Sequence, residues 1–444
     1  MPSAIRDYEA RSKSGITKFT NCLLVKGDDL VNEDLWISSV TGKILHSQEV
    51  FYDQQLIPDE IIDLGGRIIS PGFIDVQLNG AYGFDFSVIP EEGMSAYGKG
   101  VRRVNKSLIK TGVTSYLPTI TSQTPEVYHK VLPFLAPSGA SRDPTAGSES
   151  LGAHCEGPFI NPTKSGIHDP SILLTCPRGL PDLIDCYGAS NLTPPCPIRL
   201  ITLAPELPGA LQATTALTAL GIVVSIGHSD ASYEEARAGI AAGATMITHL
   251  FNAMRPLHHR NPGIFGLLGT ASPSSPRSTP TSTPTSTPGT PGTPGTPTTT
   301  TSTPSTPQKP FFGLIADGTH LHPTSTTLAH AAHPRGCILV TDAMSPAGLP
   351  NGTYPWHHGA RITKHDALLT LDRSGGRIAG SSATLVACVD NFWNWTGVAV
   401  AVALRAVTEA PARMAGVWAR KGRLGCAADA DLCVLRVEEG GGFL

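Results

Sequence analysis

The 444-residue chain has no apolar run approaching the ~20 residues needed to cross a bilayer. It also has no excess of one charge: 33 Lys and Arg against 36 Asp and Glu give a formal net charge of -3. Both absences argue against a membrane partner, and the second against a nucleic-acid partner as well. The first residues, MPSAIRDYEARSKSG, are charged throughout and lack an apolar core, so no secretory signal is read there. Nine cysteines, an odd number, are scattered without a C-x-x-C pair. They read as buried or loop thiols of a reducing compartment, and the cytoplasm is the expected location.

A further absence concerns chemistry. Metal-dependent hydrolases often place two histidines on one face of a first strand. Here PGFIDVQLNG (71–80) offers Gln77 and Asn79 instead. Side chains alternate along a strand, so both amides point the same way, and amides ligate metals poorly.

What is present is a regular alternation of apolar β-rich runs and helical patterns. The runs are 72–77, 114–120, 151–159, 198–206, 222–229, 245–253, 312–320 and 336–344. Eight strands with intervening helices predict a (β/α)8 TIM barrel over 71–350. Residues 17–70 read as short strands and turns after a tail at 1–16. Similar patterns at 351–384 and 422–444 predict a small β-sandwich domain built from both chain ends, with helices at 385–421 returning to the barrel. The last piece stops abruptly, which raises the expectation of a truncated final strand. Ser272 to Pro310 is almost wholly Ser, Thr, Pro and Gly and reads as disordered; an O-glycosylated stalk would need a secretory route.

Polar residues sit where a barrel puts its active site, at strand C-termini. Glu156 ends the third run, His228 the fifth, His249 the sixth, His320 the seventh and Asp342 the eighth. Singly, each is more often a loop hydrogen-bonder than a ligand. Together they converge on one barrel mouth. Glu156, His228 and His249 make a first shell for one divalent ion, with Zn²⁺ expected, and leave a position open for water. Asp342 is placed to act as general base and then general acid.

These residues lie in motifs that resemble the N-acetylglucosamine-6-phosphate deacetylases, a group within the amidohydrolase superfamily. The motifs are PGFIDVQLNGAYGFDFS, HCEGPFINPTKSGIHDP, GHSDASYEEARAGIAAGATMITHLFNAM, GLIADGTH, VTDAMSPAG and GRIAGSS, across about 65 to 435. The resemblance implies hydrolysis of N-acetyl-D-glucosamine 6-phosphate, with Glu156, His228 and His249 on the metal and Asp342 as the acid/base. It implies that His168 polarises the acetyl carbonyl beside Ile167, and that Asn252 and Ala253 touch the sugar phosphate. His320, with Asp317, Gly318 and Thr319, would bind substrate, and Ile378, Ala379 and Gly380 would close over the acetyl group. Arg260 would reach the phosphate in the neighbouring active site of a homodimer.

Arg255, His258 and His259 are extra basic groups beside Arg260, read as solvated loop residues. Two competing readings are a cyclic-amide hydrolase of the same superfamily and a catalytically silent scaffold. Gln77 and Asn79 argue against the first, because ring openers usually need the missing histidine pair. The complete Glu/His/His/Asp set argues against the second. The two amides then mark a vacant second metal position and a role beside the metal's ligands.

Overall fold

The computed structural model describes residues 14–140, 143–269, 309–356, 360–371, 378–438 and 442–443. Residues 1–13 of the expected tail and the expected disordered segment, apart from Lys309 and Pro310, lie outside these.

Eight parallel strands form the barrel: β1 (Phe73–Leu78), β2 (Val113–Thr121), β3 (Ala153–Glu156), β4 (Ile198–Leu203), β5 (Val223–Ile226), β6 (Met246–Ile247), β7 (Phe311–Ile315) and β8 (Cys337–Val340), and the two-residue strand Glu149–Ser150 also pairs with β2. Each pairs with the next from β1 to β8. The apolar runs are continuous because both faces are covered: β1 and β8 are buried at every residue.

Helices follow on the outside, from α1 (Met94–Leu108) and α2 (Pro125–Val131) through α3 (Leu180–Tyr187), α4 (Ala210–Ala219) and α5 (Tyr233–Ala241) to α6 (Pro323–Ala332). The acidic first turn of α5 is a capping box: Ser232 Oγ accepts from the Glu235 N–H, and Glu235 accepts from the Ser232 N–H at 2.7 Å. Among the described residues between β6 and β7, the 3-10 turn Gly263–Leu268 stands in the sixth helix position.

The seam between β8 and β1 positions the site. At its lower end the turn after the helix Val400–Arg405 is inserted, with Ile74 N–H donating to Val407 O (2.8 Å) and Leu339 N–H to Ala406 O (3.0 Å). Above it the strands meet directly: Asp342 N–H donates to Gln77 O and Asn79 N–H to Ala343 O, both at 2.9 Å. The buried Asp75 carboxylate accepts from Thr341 Oγ1 across the same seam at 2.6 Å.

The β-sandwich has two four-stranded sheets. One holds 43–44, 35–38, 16–20 and 60–63; the other holds 432–435, 68–71, 23–26 and 29–32. Leu24, Leu35, Ile44, Ile69 and Leu424 fill its core. The strand Leu432–Leu435 pairs antiparallel with Ile68–Pro71, so both chain ends contribute.

Residues 351–384 depart from the expected assignment to this domain. Their strands (352–355, 361–365, 368–371 and 378–381) form a separate antiparallel sheet. It joins the barrel mouth through the Met344 N–H to Ser381 O bond of 2.9 Å. Ile362 and Leu369 pack with Met344 and Ala379, and Ile167 packs against them, so this apolar face is satisfied at the mouth. Alternation in sequence reports a half-buried sheet without naming what buries it.

Candidate active site

The strand-end residues meet in one buried cluster. His228 Nε2 and His249 Nε2 lie 3.1 and 3.0 Å from the same oxygen, Glu156 Oε1, and 3.0 Å from each other. Each follows the end of its strand in a sharp turn. His228 and His249 have φ of +47° and +25°, and Asp342 has +47°, a left-handed conformation that costs non-glycine residues energy and is common at functional sites. Asn252 and Ala253 lie in the same irregular turn after β6, where Ala253 has φ +49°.

These residues fit a cation. His228 Nδ1 faces the Lys164 carbonyl at 2.8 Å, which fixes its proton there and turns the Nε2 lone pair toward Glu156 and His249. Two imidazole nitrogens and a carboxylate oxygen, all buried and within 4.8 Å of one another, are a borderline-metal donor set. Burial opposes charge on Glu156, but the two imidazoles outweigh it and hold the carboxyl well below its usual range. Burial likewise opposes charge on His249, while Glu156 prevails and raises it to about 9. A cation loaded here therefore displaces a proton from His249.

Above the cluster stands Asp342. Asn79 Nδ2 donates to its Oδ1 at 2.7 Å, and Gln77 Nε2 donates to the same oxygen at 3.2 Å and to Glu156 Oε1 at 2.8 Å. Burial and the nearby Glu156 charge push Asp342 up to about 6. On the opposite wall, Ser122 donates its backbone N–H to His168 Nδ1 at 3.1 Å. Nδ1 is thus the acceptor and Nε2 carries the proton. Burial, reinforced by His228, drives His168 down to about 3, so the ring is neutral. Asp317 Oδ2 accepts from His320 Nδ1 at 2.7 Å.

The cavity is about 240 Å³ and is lined by Asn79, Glu156, His168, His228, His249 and Asp342. Ile167, Asn252, Ala253, His320, Ile378 and Gly380 also face it. Asp317 is buried behind His320, while Gly318 and Thr319 do not line the cavity. Ala379 packs into the small sheet's own core, and Gln77 lies behind the lining, holding Glu156 and Asp342.

Arg260 stands apart from the cluster, where a residue expected to serve a neighbouring site need not line its own cavity. It is exposed, lies outside the cavity of its own chain, and its backbone N–H bonds His258 Nδ1. Arg255 pairs with Asp230 at 2.9 Å, and His258 and His259 are exposed, as solvated loop residues are.

Sequence reasoning missed Thr121, Gly166, Ile315 and Met344 on the cavity wall, and Ser122 behind His168. Thr121 ends the second strand and Ser122 follows it, a position that could have flagged them. Gly166 has φ +61°, and a Cβ there would stand 3.3 Å from the His228 ring.

A second group, Glu149, Asp429 and Asp431, is held by cations of the chain itself. Lys421 Nζ lies 2.6 Å from Glu149 and 3.3 Å from Asp429, and it also pairs with Asp431. A larger cleft of about 700 Å³ between the sandwich and the N-terminal end of the barrel holds none of the convergent ligands.

No protein-family model matches the chain. The N-acetylglucosamine-6-phosphate deacetylase of Mus musculus is 39% identical over 433 residues, covering 97% of this chain and 94% of the relative. The protein of that name from Danio rerio is 40% identical over 425 residues, covering 96% and 94%. The crystal structure of the Pasteurella multocida enzyme of that name superposes with a TM-score of 0.74 at 24% identity, covering 97% of both chains, and shares the fold. Identity at this level across nearly the whole length, with the barrel and its strand-end cluster, places the chain in the N-acetylglucosamine-6-phosphate deacetylase family.

Proposed function

We propose that the chain hydrolyses the acetamide of N-acetyl-D-glucosamine 6-phosphate to glucosamine 6-phosphate and acetate. The carrying observation is the convergence of His228 and His249 on one oxygen of Glu156, with Asp342 beside them in one cavity. Glu156, His228 and His249 would hold one divalent ion, zinc by the nature of its donors. When bound, such an ion supplies Lewis acidity toward water and the acetyl carbonyl.

The chain's own residues do the rest. Asp342 takes a proton from the attacking water and returns it to the departing nitrogen as the C–N bond breaks, so that the amine leaves neutral. His168, protonated at Nε2, donates to the carbonyl oxygen as negative charge grows on it. His320, oriented by Asp317, and the buried Asn252 amide, whose Nδ2 has no partner among the described residues, bind the sugar phosphate. Arg260 is assigned to the phosphate of a neighbouring copy, because it is exposed and lies outside the lining of its own cavity. The active form is accordingly a homodimer, located in the cytoplasm.

The test is acetate release from N-acetylglucosamine 6-phosphate, with metal content measured on the same sample before and after chelation. Release that tracks metal supports the reading. A fully loaded protein that releases no acetate overturns it.

A further inference from the structure

The unexplained pair is Gln77 and Asn79, and their partner is the acid/base itself. Both amides aim N–H groups at one oxygen, Asp342 Oδ1, at 3.2 and 2.7 Å. The orientation is fixed by chemistry. Turning the Gln77 amide over would set its carbonyl against two carboxylate oxygens, Glu156 Oε1 and Asp342 Oδ1. The backbones hold the same contact, with Asp342 N–H on Gln77 O and Asn79 N–H on Ala343 O, both 2.9 Å. Gln77 and Asn79 are buried, and Asp342 stands partly buried on the cavity wall, so the two amides cover Oδ1 from the protein side.

We propose that Gln77 and Asn79 saturate Oδ1 of Asp342 and so confine the transferred proton to Oδ2. The proposal rests on the deacetylase reading above. An oxygen already accepting two N–H bonds has no free lone pair in reach for a third proton. As an O–H bond of the attacking water breaks, the new O–H bond forms at Oδ2, and the double bond settles on Oδ1. When the C–N bond breaks, the same proton moves from Oδ2 to the nitrogen, and the carboxylate is restored. Both transfers then use one atom in one position, with no rotation of the carboxyl group between them. Gln77 and Asn79 are positioning residues in this scheme. The Gln77 amide further ties the ligand Glu156 to the acid/base through a single NH₂ group.

The test has a kinetic and a spectroscopic arm. Asn79→Ala is expected to lower kcat about 10- to 100-fold, with KM within about threefold and metal content unchanged. In difference infrared spectra of the metal-free protein, the C=O band of protonated Asp342 is identified by its loss in Asp342→Asn. That band should rise in frequency in Asn79→Ala, because Oδ1 loses its shorter hydrogen bond. Gln77→Met should raise the band less, since its donor is the longer one, and it serves if Asn79→Ala does not fold. An unshifted band in the folded variants, or a kcat within about twofold of wild type, overturns the proposal. The wild type assayed alongside separates the two levels. If it releases no acetate, the deacetylase reading fails, while the infrared arm still judges the hydrogen bonds.

Discussion

Ser122 donates its backbone N–H to Nδ1 of His168, and the Ser122 hydroxyl lies 2.7 Å from the same nitrogen. One residue at the end of β2 thereby decides which face of an imidazole carries the proton. Because the decisive donor is backbone, Ser122→Ala should leave turnover within about threefold of wild type. His168→Ala removes the donor to the developing oxyanion and should cost about 10²–10³ in kcat. Steady-state acetate release for the two variants checks this, and equal losses would break the tautomer argument.

Asp342→Asn should keep metal and substrate binding yet lose about 10²–10⁴ in kcat, the usual contribution of a positioned proton donor and acceptor. The wild-type pH profile carries a matching signature. Asp342 must be ionised to accept a proton, and burial with the Glu156 charge holds it up at about 6. A bound cation pulls it down, so kcat/KM should fall with acid through a limb at or below that value. A limb well above it would assign the titration to another group.

Asp75 gives a stability prediction. Burial raises it to about 7, although Thr341 and backbone N–H groups oppose the rise. An acid raised on folding binds its proton more tightly in the folded chain. Its contribution is therefore fully present below the unfolded value near 3.8 and is lost as pH rises toward about 7. The rise corresponds to on the order of 4 kcal/mol. Asp75→Asn should flatten the decline of stability between these pH values relative to wild type, as read by denaturant unfolding at several pH values.

Arg260→Ala should weaken discrimination for the 6-phosphate. KM for the phosphorylated sugar is expected to rise roughly tenfold or more, as befits a lost charged hydrogen bond, while the unphosphorylated sugar is little affected. Mixing Arg260→Ala with an Asp342→Asn protein should restore some activity if the arginine serves the neighbouring site. A wild-type ratio between the two sugars in Arg260→Ala would remove Arg260 from the phosphate.

Deleting Ser272 to Thr306 should leave kcat/KM within about twofold of wild type. The described flanks approach each other at the N-terminal end of β7: Lys309 Nζ donates to Leu268 O at 2.9 Å. That end of the barrel is opposite the cavity, so a shortened connection has little span to cover and no catalytic loop to disturb.

The barrel was legible because its strands are apolar runs of strand length, and Glu156, His228, His249 and Asp342 sit where those runs stop. Burial pattern and position along a strand are local properties, and a chain carries them in its order of residues. Partnership is not local. That Gln77 and Asn79 hold Asp342, 265 and 263 residues away, depends on β8 closing against β1. That strands 352–381 cover the mouth rather than join the sandwich depends on which apolar face meets Met344 and Ile167. That Arg260 lies outside its own cavity depends on the path of an exposed loop. The order of residues thus determined which groups could do chemistry and on which strand ends they stand. Only the closed barrel decided which atom each one touches, because long-range contacts are set by packing that no single segment contains.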